Sequence, residues 1–213
     1  MYRPVLVTAP SITPVTLAEV KSHCRATDFT DDDVSLTGLL AAATSHLDGW
    51  TGILGRCLCE QTWWQDFDCF QPCLRLPLFP VISVSSVKYT DTNGVEQTVD
   101  PESYSVQTDD LGTYVEFIFN FASPPLKQFL PAAVRVEYVA GYADTPAVEA
   151  DPEATPPVEG APRISNVPDA IKHAILLLVS HWYQNRDAVV AGQAFELPMA
   201  VDALISPFRR IKF

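Results

Sequence analysis

The chain has 213 residues, 47% of them hydrophobic and 19% charged, with a formal net charge of -12. That length and apolar content build one large or two small packed domains and exclude global disorder. With Arg209, Arg210 and Lys212 set aside, 11 bases face 26 acids, a body of about -15 that repels DNA and anionic lipid.

In "MYRPVLVTAPSITPVT" no continuous apolar stretch follows Arg3, and Pro4, Pro10 and Pro14 interrupt the segment, so no export signal is read there. The run "AILLLV" at 174–179 is too short to span a bilayer, and the expectation is a soluble, unexported protein. Residues 1–59 read as helical. Thr16 with Glu19 three residues later forms a capping box, which predicts a helix over about 17–26 with Leu17, Val20 and Cys24 on one face. In "TDDDVSLTGLLAAATSHLDGWTG", Thr30 is the expected N-cap and Asp31 to Asp33 favour the positive end of the helix dipole. Val34, Leu36, Leu39, Leu40, Ala43, Leu47 and Trp50 make its apolar stripe, and Gly52 and Gly55 close it.

From 60 to 142 the apolar period changes to two, in segments rich in aromatic and β-branched residues such as "EQTWWQDFDCF", "LRLPLFPVISVSSVKYT" and "AAVRVEYVAGY". Val134, Val136 and Tyr138 alternate with Arg135 and Glu137, as in a strand covered on one face. Asn93-Gly94 is a hairpin signal, since both residues tolerate positive φ. The section reads as an antiparallel sheet or sandwich. Residues 143–166 hold five prolines, five acids and one base, a composition that predicts an exposed loop, placed at 143–162, between the β section and the C-terminal helical segment.

"VPDAIKHAILLLVSHWYQNRDAV" predicts a long helix with Pro168 in its first turn and Ile171, Ala174, Ile175, Leu178, Val179 and Trp182 on one face. Leu176, Leu177 and Tyr183 lie outside that face. The helix is therefore either the centre of a small bundle or packed on a neighbouring subunit. Arg186, near its end, either bridges to an acid of a neighbour or is a solvated cation at a helix C-terminus. The chain closes with "LPMAVDALISPFRRIKF": a short amphipathic helix ended by Pro207, then a basic, aromatic tip.

No phosphate-cradling loop, dinucleotide fingerprint, HExxH or GxSxG is present. His23, His46, His173 and His181 are scattered, and Cys24, Cys57, Cys59, Cys69 and Cys73 read as reduced thiols rather than a zinc set. Neither a metal nor another cofactor is expected. Trp63 and Trp64 are adjacent and point to opposite faces of a strand, so one ring needs a cover. A sugar stacked on that ring would make the chain a carbohydrate-binding or other surface module using the Trp63/Trp64 β region, the alternative reading.

Taken in order, "PVTLAEVKSHCR", the acidic helix start "DDD", "TG" followed by "EQTW", "LPLFPVISVSSVKYTD", "VRVEYVAGY", the long helix and "LPMAVDALISPFRR" resemble the head-tail connector (adaptor) proteins of long-tailed bacteriophages, prophages and gene-transfer particles. The resemblance spans nearly the whole chain; the proline-rich insert and "CLCEQ" depart from it. It implies an α+β fold, with a helical framework from residues 1–59 and 163–213 and an antiparallel β domain inserted at 60–142. It further implies a non-enzymatic ring, typically dodecameric, in the virion neck, assembled in the host cytoplasm. Such a ring lies beneath the portal protein, meets a stopper or tail-completion protein below, and passes DNA without gripping it; no membrane is involved. The segments that match the family's docking and end-of-helix regions imply portal contact by Ile205, Pro207, Phe208, Arg209, Arg210, Ile211, Lys212 and Phe213. The expected subunit interface comprises Leu176, Leu177, Trp182, Tyr183 and Arg186.

Overall fold

A computed structural model describes residues 2–147, 163–185 and 199–209. The chain divides into two compact units, Met1–Ser11 with Glu60–Ala143 and Ile12–Cys59 with Asp144–Phe213. Together the described residues form an α+β fold of four helices and eight antiparallel strands in two sheets.

The strands of the first unit are, in chain order, β1 (Val5–Thr8), β2 (Gln61–Phe67), β3 (Cys73–Arg75), β4 (Val81–Thr90), β5 (Glu96–Thr98), β6 (Tyr104–Asp109), β7 (Gly112–Phe117) and β8 (Val134–Ala140). They build a five-stranded sheet in the order β1-β2-β8-β4-β5 and a three-stranded sheet in the order β3-β7-β6. The register of the larger sheet explains the alternation in the sequence. β2 and β8 pair residue for residue, with Trp63 opposite Tyr138, Gln65 opposite Val136 and Phe67 opposite Val134. All six of these side chains are buried, whereas Trp64, Asp66, Arg135 and Glu137 occupy the other face. A slip of one residue would drive Arg135 and Asp66 into the interior, so the pattern fixes the pairing. Phe70 joins the two sheets, edge-on to Tyr89 of β4 at 5.6 Å and to Phe117 of β7 at 5.5 Å.

Two expectations change here. Residues 1–59 are not all helical: Val5–Thr8 is a strand paired to β2, and residues 1–11 belong with the β unit. The segment "LRLPLFPVISVSSVKYT", one run of alternating residues in the sequence, holds the end of β3 and the whole of β4, in different sheets. The hairpin at Asn93-Gly94 forms, with only Gly94 at positive φ (83°); the Asp91 carboxylate accepts from the Asn93 and Val95 main-chain N–H groups at 2.9 and 3.0 Å.

The second unit contains α1 (Leu17–Cys24), α2 (Asp33–Leu47), α3 (Asp169–Gln184) and α4 (Met199–Ile205). The capping box is complete: the Thr16 hydroxyl accepts from Glu19 N–H at 3.2 Å, and the Glu19 carboxylate accepts from Thr16 N–H at 2.6 Å. α1 ends at Cys24 because Arg25 turns left-handed, φ 56°. α2 starts later than expected, at Asp33 with Asp32 rather than Thr30 in the cap position, and ends at Leu47, before Gly52 and Gly55. Its buried face is Leu36, Leu40, Ala43 and Leu47. Val34, two residues and so about 200° from Leu36 around the helix, is 87% exposed and leaves the expected stripe. α3 packs on α1, α2 and α4, burying Ile171, Ala174, Ile175, Leu178 and Val179.

Candidate docking tail and interface surfaces

The tail is built on an apolar anchor. Val201 and Ile205, four residues apart on α4, are both wholly buried. Ile205 is thus part of the packing of its own unit and not an available docking residue, which corrects its expected role. The backbone then tightens into a 3-10 turn over Ser206–Phe208, extending past the expected stop at Pro207. Pro207 is exposed and Phe208 half-buried, its ring centroid 5.6 Å from the Arg56 guanidinium carbon. Arg209 reaches back two helical turns to Asp202, Nη2 to Oδ1 at 2.8 Å. Arg210, Ile211, Lys212 and Phe213 lie outside the described residues.

Of the expected interface residues, Leu176 and Leu177 are half-buried on α3, next to the fully buried Leu178. Trp182 meets His46 of α2 edge-on at 6.5 Å, and the Tyr183 hydroxyl donates to the Asp32 carboxylate. Tyr183 therefore uses its hydroxyl inside the unit, tying the last turn of α3 to the N-cap residue of α2. Arg186 lies outside the described residues.

Trp63 and Trp64 do not form an open stacking platform. Trp63 is 8% exposed, and the Arg135 guanidinium lies over the Trp64 ring, 4.1 Å from its centroid. The same Arg135 donates to Asp66, Nε to Oδ1 at 2.7 Å. The cover that the second ring needed comes from the neighbouring strand: Arg135 is opposite Asp66, and Trp64 is two residues from Asp66 on the same face. The sequence carried a signal for this triad, since Asp66 and Arg135 both sit at the outward phase of alternating strands.

The expected loop at 143–162 opens from a paired stem. Thr145 and Ile164 exchange main-chain hydrogen bonds of 2.9 and 3.0 Å, and Arg163 pairs with the buried Asp144 at 3.0 Å. Residues 148–162 lie outside the described residues. Beside this stem, Cys59 Sγ lies 3.6 Å from Ser165 Oγ, and burial pushes the Cys59 thiol up to about 11. A thiol held protonated is a poor nucleophile and a poor metal ligand at neutral pH. Cys57 is also buried, Cys69 and Cys73 are exposed, and no group of three or more His, Cys, Asp or Glu among the described residues could hold a metal ion. No helix among them is long and apolar enough to cross a membrane.

No family model matches the chain, and no curated protein matches it in sequence. Its fold, by contrast, recurs along its whole length in solved structures of gene transfer agent particles. A chain in the virion of a native particle has a TM-score of 0.70 at 20% identity, covering 100% of this chain and 97% of the other. A chain in the neck of an empty particle, determined with C6 symmetry, gives 0.68 at 23% identity with the same coverage, and one in the neck of a native particle with C12 symmetry gives 0.65 at 20% identity.

Proposed function

We propose that this chain is a structural neck protein, a head-tail adaptor whose copies close into a ring beneath the portal and continue the DNA channel toward the tail. The observation that carries this reading is the likeness to chains in the necks of gene transfer agent particles, determined with C6 and C12 symmetry, which extends over 100% of the chain. The physical features are consistent with it. A net charge of -12 disfavours phosphate contacts by the chain as a whole, as suits a subunit past which DNA slides rather than binds. A cyclic ring needs two different surfaces per subunit, and the half-buried Leu176 and Leu177 supply apolar area for one of them. Pro207, Phe208 and Arg209, continued by Arg210, Ile211, Lys212 and Phe213, form the portal-docking tip: a basic, aromatic peptide suited to an acidic, apolar groove. The opposite end of the ring meets a stopper or tail-completion protein. No chemical step is assigned to the chain.

The test is deletion of residues 206–213, which leaves α4 and its buried Ile205 in place. The truncated protein is expected to keep its thermal unfolding transition and its helix content and to lose binding to the cognate portal in a pull-down. Undiminished portal binding by the truncated chain would rule out docking by the tail.

A further inference from the structure

The tip and its anchor are held by interactions of different strength. Val201 and Ile205 are fully buried, so α4 stays packed. The contacts beyond it are made near solvent: the Arg209 and Asp202 side chains are 43% and 53% exposed, and Phe208 is only half-buried beside Arg56. Exposed ion pairs and cation-π contacts are weak enough to exchange in a binding event, whereas a buried aliphatic anchor is not. The two side chains held this way, an aromatic ring and a guanidinium, are the groups a docking peptide would present to its partner. The main chain at Arg56 is held in place, since its carbonyl accepts from Gly49 N–H at 2.8 Å, and the half-buried side chain extends from it to the Phe208 ring.

We infer that Arg56 and Asp202 form a releasable latch that stows Phe208 and Arg209 against the chain's own body until the portal takes them. This rests on the tail being the docking segment. Docking exchanges the Asp202 carboxylate for an acid of the partner and the Arg56 face for an apolar groove, while α4 does not move out of its packing. The latch lowers the affinity of the isolated chain for the portal and keeps a sticky aromatic, cationic tip from engaging before the portal is in place.

Asp202→Asn and Arg56→Gln release the tip without altering it. Each is expected to tighten binding of the full chain to the cognate portal about two- to fivefold, and the double variant about tenfold, with the thermal transition unchanged in Asp202→Asn, whose side chain is 53% exposed. A second readout does not need the portal. Trypsin cleavage of the Arg209–Arg210 bond, followed by intact mass spectrometry, is expected to accelerate about two- to fivefold in Asp202→Asn, because the pairing that holds Arg209 is gone. Unchanged cleavage with unchanged affinity overturns the latch, and so does weaker portal binding, which would make the two contacts a pre-formed docking geometry. Faster cleavage with no portal binding by any form, wild type included, overturns the docking reading instead and leaves the tether standing.

Discussion

Both units pair charged side chains within the chain, and they differ in what surrounds those pairs. In the β unit, charged groups pair with each other across strands and over rings: Arg135 with Asp66 and Trp64, Arg75 with Asp109 and Tyr114, and Lys88 with Glu96. The helical unit sets its ion pairs, Lys21 with Asp33 and Arg163 with Asp144, around an aliphatic interior, and carries half-buried Leu176 and Leu177 and the exposed Arg209–Asp202 pair at its tip. A surface whose charges are already matched within the chain gives a neighbour little to bind. Exposed apolar area gives it more: the helical unit offers half-buried Leu176 and Leu177 beside its basic tip, where the proposed assembly contacts lie, and the β unit offers the fully exposed Phe119 and Phe129.

That contrast can be broken at several points. The largest stability effect is expected from Leu178→Ala, which opens a cavity at a wholly buried site of α3 and should cost about 2–5 kcal/mol in urea unfolding. One residue earlier, Leu177→Asp should change stability by only about 1 kcal/mol while abolishing ring formation, read by light scattering of the assembled neck complex. Equal losses of stability and assembly would make Leu177 ordinary core. Arg135→Ala removes a partly exposed ion pair and the cover of Trp64 together. It should cost about 1–2 kcal/mol and shift tryptophan emission to the red, with ring formation unaffected. If assembly is lost with Arg135, the β unit takes part in contacts that its internal pairing does not suggest.

The smallest perturbation is chemical labelling. At neutral pH, Cys69 and Cys73 should react with a thiol reagent, while Cys59 should not. Its folded pKa lies above the unfolded one, so the protonated thiol stays favoured in the fold. Whatever stability that protonation confers is fully present below the unfolded thiol pKa, near 9, and is lost as pH rises toward about 11. Cys59 labelling at the rate of Cys69 would mean that its burial is transient.

Local features of the fold were legible and non-local ones were not. The capping box at Thr16 and Glu19, the turn at Gly94, the faces of α3 and the alternation of β8 depend on residues within one turn or one strand, so their spacing is visible in the sequence. β1 was missed because four residues, "VLVT", carry no period long enough to read, and their partners at 62–64 are fixed only when the chain folds. The separation of β3 from β4 was missed for the same reason, since each finds its partner, β7 or β8, later in the chain. At the candidate docking site, the aromatic and basic composition of the tip was readable. The burial of Ile205 was not, because it depends on where α4 sits on α3. The hold of Arg56 on Phe208 spans 152 positions in the chain and has no sequence signature.

The central claim is that the chain assembles as a ring on a portal, and electron microscopy of the purified protein mixed with its cognate portal tests it most directly. The account predicts a closed ring of this chain stacked coaxially on the portal, with the tail segments at the contact. A portal that stays bare under those conditions, or that binds this chain without closing a ring, would contradict it.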